Sequence, residues 1–143
     1  MVTPSTPPPE PDGSRGRASL FFALLALAWM GVIFWVSSGP VPPVVPDQLL
    51  DILVKKAGHF SAYALLAVLW WLALQGRVTP RLALVLAFAI AAGYAGSDEL
   101  HQAFSPTRHP SVVDVGIDAL GAATGLWVVA RRIRNRQGRL DPG

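Results

Sequence analysis

ASLFFALLALAWMGVIFWVSS, residues Ala18–Ser38, contains no charged side chain. A bilayer hydrocarbon core of roughly 30 Å is crossed by about 20 apolar residues rising about 1.5 Å each, and this stretch supplies them without interruption. It stops at Gly39, Pro40, Pro42, Pro43 and Pro46, which cannot continue a helix. Arg15 and Arg17 precede it. A cleaved signal peptide has a shorter apolar region and a small-residue cleavage site, so a retained span is the expectation.

Three more windows follow. Residues 57–76 carry no charge apart from a titratable His59; residues 82–97 carry none and extend through polar residues to Phe104; the last window is 112–130. The third is short for a span, so its final turns are expected at an interface or in a polar cavity rather than in lipid. The fold class is therefore all-α, a polytopic membrane protein built as a four-helix transmembrane bundle. Its spans are expected near 18–38, 57–76, 82–104 and 112–130.

Composition agrees. The 143 residues are 52% hydrophobic, only 15% are charged, and the mean hydropathy is +0.41, which excludes an ordinary soluble domain. Zero cysteines exclude a disulfide framework, a thiolate zinc site and a cysteine nucleophile. The pI near 10 does not indicate a nucleic-acid partner, because Arg131, Arg132, Arg134, Arg136 and Arg139 form a tail rather than a binding face.

Nine lysines and arginines lie in the N-terminal arm, the loop after span two (Arg77, Arg81) and the C-terminal tail, against three (Lys55, Lys56, Arg108) in the other two loops. The positive-inside rule then places both termini in the cytoplasm of a multi-pass cell-membrane protein. Residues 1–17, rich in Pro, Ser and Gly, are expected to be a disordered cytoplasmic arm, and 131–143 a basic cytoplasmic tail. Lys55, Lys56, His59, Asp98, Glu99, His101, Gln102, Arg108, His109, Asp114 and Asp118 then gather at the outer face. Between Asp47 and Val54 the apolar spacing predicts a short helix lying on the membrane surface.

Ionisable groups within spans cost roughly 2.5–3.5 kcal/mol on insertion scales, so they usually have partners or a task. Lys55, His59 and Tyr63 are spaced i, i+4, i+8 and stack on one face of span two. On span three, Glu99 and Gln102 share one face, and Asp98 and His101 another with Tyr94, about 100° away. For Asp98 and His101 a capping or interfacial role is the expectation. Asp118 continues through Gly121 and Gly125 as one stripe, which directs the carboxylate into the bundle above a strip where another helix packs close. Asp114 suits the first turn of span four. Arg108 is the expected counter-ion of these acids, and its guanidinium equally suits a phosphate or carboxylate ligand.

The run Trp29-x5-Trp35-x-Ser37-Ser38-Gly39-Pro40, then Lys55-x3-His59-x3-Tyr63, then Glu99-x2-Gln102-x5-Arg108-x5-Asp114-x3-Asp118-x2-Gly121-x3-Gly125, resembles the VanZ-like family of small bacterial membrane proteins. The resemblance covers roughly residues 20–130. The family usually has Asn where this chain has Asp118, so a neutral amide is replaced by an ionisable acid. It implies a multi-pass protein whose founding members are associated with low-level resistance to teicoplanin, a glycopeptide; it implies no settled reaction.

The expectation from these residues is an outward-opening polar pocket between spans two, three and four. Lys55, Tyr63, Gln102, Arg108 and Asp114 would bind an anionic lipid or lipid-linked cell-envelope intermediate. In an enzymatic version His59, Glu99 and Asp118 would be catalytic, with His59 or Glu99 as general acid or base. No cofactor is required by the sequence; oxygen ligands from Glu99, Asp114 or Asp118 would favour Mg or Mn. The alternatives are a non-catalytic binding or resistance factor whose polar network is structural, and a small transporter. The small-xxx-small strip also suits helix–helix self-association.

Overall fold

The computed structural model describes residues 13–39, 43–104 and 111–137. It consists of four helices: α1 (Gly13–Ser38), α2 (Gln48–Leu74), α3 (Pro80–Gln102) and α4 (Val112–Gln137). Each is long and apolar enough to cross a membrane. Arg108 and His109 lie outside the described residues, as do residues 1–12 of the N-terminal arm.

The helix ends follow local chemistry. The Asp47 side chain caps α2 by accepting from the Leu50 amide at 2.8 Å, satisfying one of the donors that a helix start leaves open. The segment expected to form a separate surface helix is instead the first two turns of α2. No breaker stands between it and the span, and Asp51 reaches Lys55 one turn later at 2.5 Å, which ties the two turns together. Gly76, at φ +75°, makes the tight turn out of α2, a conformation that costs glycine little. Thr79 and Pro80 then start α3, Pro80 sitting where a missing N–H does no harm. At the outer limits the helices run further than expected. α1 begins at Gly13 rather than Ala18, and α4 carries Arg131, Arg132 and Arg134 as helix.

α2 and α3 form the centre, with α1 and α4 on either side; among the described residues α1 and α4 make no contact. α3 presents Ala83, Ala87, Ala91 and Ala95 as one buried row, so neighbours pack against it at short range. The closest approach is between α2 and α4. A Cβ on Gly121 would lie 2.2 Å from the Phe60 carbonyl oxygen, and one on Gly125 2.6 Å from that of Ala64. Only glycine fits at either position.

Side-chain hydrogen bonds attach α1. Ser19 Oγ donates to the Ala73 carbonyl, one of the acceptors left open at the end of α2. Trp29 Nε1 donates to the Ala62 carbonyl at 3.0 Å, and Tyr94 Oη to the Met30 carbonyl at 2.7 Å. Leu20, Phe21, Leu24, Leu27, Phe34 and Trp35 point outward, as a lipid-facing surface requires.

This topology sorts charge by end. The C-termini of α1 and α3 and the N-termini of α2 and α4 meet at one end, which holds every described carboxylate side chain. Every arginine whose side chain is described belongs to the opposite end, where the Arg131 guanidinium lies over the Trp127 ring at 4.6 Å, a cation–π contact.

Candidate functional site

At the acidic end α2 and α4 run in parallel register, so residues pair across them in successive rungs. Lys56 Nζ binds Asp114 Oδ1 in the outermost rung, where both side chains are about one-third exposed. One turn inward, His59 Nδ1 lies 3.5 Å from Asp118 Oδ2. Below these the register tightens onto Phe60–Gly121 and Ala64–Gly125. The small strip beneath Asp118 thus holds its carboxylate against α2.

Asp118 is 1% exposed, and its Oδ1 has no hydrogen-bond partner among the described residues. Tyr63, one turn below His59 on α2, is fully buried with its hydroxyl equally unpartnered. An unmade hydrogen bond in a buried position costs about 1–3 kcal/mol. Among the described residues Trp70 Nε1 is the other buried side-chain atom left in this condition.

The α3 groups are engaged differently. Asp98, 3% exposed, accepts from Ser37 Oγ on α1 at 2.5 Å and from Gln102 Nε2 at 3.1 Å. The expected capping or interfacial role for Asp98 is thereby corrected: it is an interior carboxylate bonded through both oxygens. Gln102 belongs with Asp98 because i, i+4 residues lie almost directly over one another. His101 leans on the Phe34 ring and faces Ser38 at 3.4 Å. Glu99 Oε2 accepts from the Ser111 amide at 2.9 Å, holding the entry of α4 against the end of α3.

Of the residues singled out from the sequence, the structure brings together His59 and Asp118, with Asp114 one rung further out; Tyr63 lies one turn below His59, its ring 6.2 Å from that of Tyr94 on α3. Lys55 does not join them. It turns to Asp51, whose Oδ1 also accepts from the Val44 amide at 2.5 Å. The lysine that meets the α4 acids is its neighbour Lys56. Sequence reasoning placed Lys56 at the outer face but gave it no partner, and Asp51 and Ser37 were not assigned to the network at all. The one available signal was Asp51-x3-Lys55, an i, i+4 pair. Arg108, expected as counter-ion, lies outside the described residues; Lys56 and His59 face Asp114 and Asp118. Among the described residues no group of three or more His, Asp or Glu side chains could hold a metal ion. The oxygen ligands considered for Mg or Mn are engaged apart, Glu99 with Ser111, Asp114 with Lys56 and Asp118 with His59.

The VanZ/LLP1 family model matches residues 21–133, a range that takes in α2 and α3 and most of α1 and α4. The chain belongs to the VanZ/LLP1 family. No curated protein and no solved structure matches it. Membership in the VanZ/LLP1 family together with four membrane-length helices makes this a multi-pass membrane protein. Within this VanZ/LLP1 chain the matched region contains both the glycine register of α4 and the His59–Asp118 rung it supports.

Proposed function

We propose that this VanZ-family protein uses the acidic end of its bundle, facing away from the cytoplasm, to engage the anionic headgroup of a lipid or lipid-linked cell-envelope intermediate. The observation that carries the reading is the row Lys56–Asp114, His59–Asp118, Tyr63. It begins on a partly exposed ammonium and ends on buried polar atoms without partners among the described residues. A phosphate oxygen can replace the Asp114 carboxylate on Lys56, since exposed ion pairs are held by only about 0.2–1 kcal/mol. The sidedness is supported by the segregation of arginines to the opposite end, because cytoplasmic flanks carry the excess of Lys and Arg.

In the enzymatic version His59 does the acid–base work, with Asp118 orienting its imidazole as carboxylates orient catalytic histidines elsewhere. The non-catalytic version has its own support. Asp98, Ser37 and Gln102 form a satisfied interior network that fixes the register of α1 against α3, as scaffolding would. In that version the protein binds or shields a headgroup without turnover, and resistance to teicoplanin would follow from that shielding.

The test is binding by the purified full-length chain of a polyprenyl diphosphate against a neutral diacylglycerol lipid, followed by native mass spectrometry. Preferential binding of the diphosphate, weakened about three- to tenfold in Lys56→Gln, supports the reading. Equal binding of both lipids sinks it. Release of phosphate from the bound diphosphate, assayed with and without EDTA, separates the enzymatic version from the shielding one.

A further inference from the structure

We propose that the outward face of α4 at the arginine end is a binding site for an anionic phospholipid, with the phosphate held by Arg131 and Arg134 and an acyl chain lying along Trp127 and Leu120. The site is at the opposite end of the bundle from Lys56, His59 and Asp118, and it stands independently of the reading above. Leu120, Trp127, Arg131 and Arg134 are spaced i, i+7, i+11, i+14, which sets them on one face of the helix within about 60° of arc. The buried Asp118, Gly121 and Ala122 occupy the far side. Leu120 is 61% exposed and Trp127 52%; both arginines, expected in a tail, continue α4 as helix with their side chains exposed.

Arg131 is the first charged residue after the uncharged run 119–130, and Trp127 precedes it by one turn, as indoles do at a membrane surface. The guanidinium lies over the Trp127 ring, 4.6 Å from its centroid. That contact restrains the side chain without supplying an acceptor oxygen for its five N–H donors. No carboxylate supplies one either. Every described carboxylate sits at the other end of the bundle, and neither Arg131 nor Arg134 has an ion pair among the described residues. Arg134 follows Arg131 by about 4.5 Å along the axis, so two guanidinium forks can converge on one phosphate, whose oxygens they match bidentately.

The stripe passes from charge to apolar surface without a break, and this selects a lipid over a free phosphate. A soluble phosphate would use the guanidinium half alone. A phospholipid covers both halves, its headgroup on the arginines and its chain on Trp127 and Leu120. An anionic headgroup is favoured over a zwitterionic one, which brings its own ammonium beside the two arginines. Topology alone asks less of the sequence. The positive-inside rule is satisfied by lysine or arginine at any position near the end of the span, and needs neither the ring beneath Arg131 nor a second guanidinium one turn on.

The full-length chain carrying Lys56→Gln, which removes the ammonium of the acidic end from the measurement, is titrated by native mass spectrometry with phosphatidylglycerol and phosphatidylcholine of equal acyl composition. Phosphatidylglycerol should bind about ten- to thirtyfold more tightly. Adding Arg131→Gln with Arg134→Gln should abolish that preference. Adding Arg131→Lys with Arg134→Lys instead keeps the charge that sets topology but removes both forks and the ring contact, and should weaken phosphatidylglycerol about three- to tenfold. Every substituted arginine is exposed, so the fold should persist, and thermal unfolding of the variants checks this. Equal binding of the two lipids before the arginines are changed overturns the site. So does a lysine pair that holds phosphatidylglycerol as tightly as the arginines, which reduces the stripe to a topological flank. Displacement of phosphatidylglycerol by an equal concentration of soluble glycerol phosphate overturns the lipid as its occupant.

Discussion

The seam between α1 and α3 and the seam between α2 and α4 each bury one aspartate at the same end of the molecule, to nearly the same depth. On the first seam Asp98 has both oxygens occupied, by Ser37 and Gln102. On the second Asp118 meets His59 through one oxygen, and the other has no partner among the described residues. Burial alone therefore does not distinguish a structural carboxylate from one available for function; the count of satisfied lone pairs does. Asp98 joins helices, whereas Asp118 is held in place by packing around it.

The most severe way to break this comparison is to separate α2 from α4. Gly121→Val would drive a branched side chain into the Phe60 carbonyl and should cost about 3 kcal/mol or more, read as loss of folded protein in detergent thermal melts. Gly125→Ala should fall in the same direction with a smaller drop. Next comes Asp98→Ala, which strands the Ser37 and Gln102 donors and should lower stability by about 2–3 kcal/mol. Asp118→Leu removes an equally buried carboxylate that lacks one of its bonds, so its stability should stay within about 1 kcal/mol of the parent or rise. If the two aspartates prove equally costly to remove in chemical denaturation, the distinction between the seams fails. Tyr94→Phe deletes only the bond to the Met30 carbonyl and should cost about 1 kcal/mol, without affecting headgroup binding. Smallest is Lys55→Gln, which breaks an i, i+4 pair with Asp51 at about 0.5 kcal/mol. It should leave lipid binding unaltered where Lys56→Gln weakens it.

The four helices and the inward aim of Asp118 were legible from the sequence because both depend on local regularities. Span length reads directly from the run of uncharged residues, and the stripe Asp118, Gly121, Gly125 reads from helical periodicity. The roles of Lys55 and Lys56 were not legible. Adjacent residues point about 100° apart on a helix, and which of the two meets α4 is set by how α2 and α4 cross. The same holds for Asp98, whose partner Ser37 lies on another helix 61 residues away. The separate surface helix was expected because amphipathic spacing fits an interfacial segment and the first turns of a spanning helix equally well. The Asp47 cap and the absence of a breaker decide for the latter.

The hydrogen bonds that attach α1 are spread along its length, from Ser19 near one end, through Trp29 and the Met30 carbonyl, to Ser37 near the other. A helix shifted by one residue moves about 1.5 Å and turns about 100°, which would break all of them at once. The vertical position of α1 is therefore dictated by its neighbours rather than by the bilayer. In membranes of unequal thickness such a helix cannot slide or tilt on its own to hide its apolar length, so the surrounding lipid must stretch or compress to match the protein.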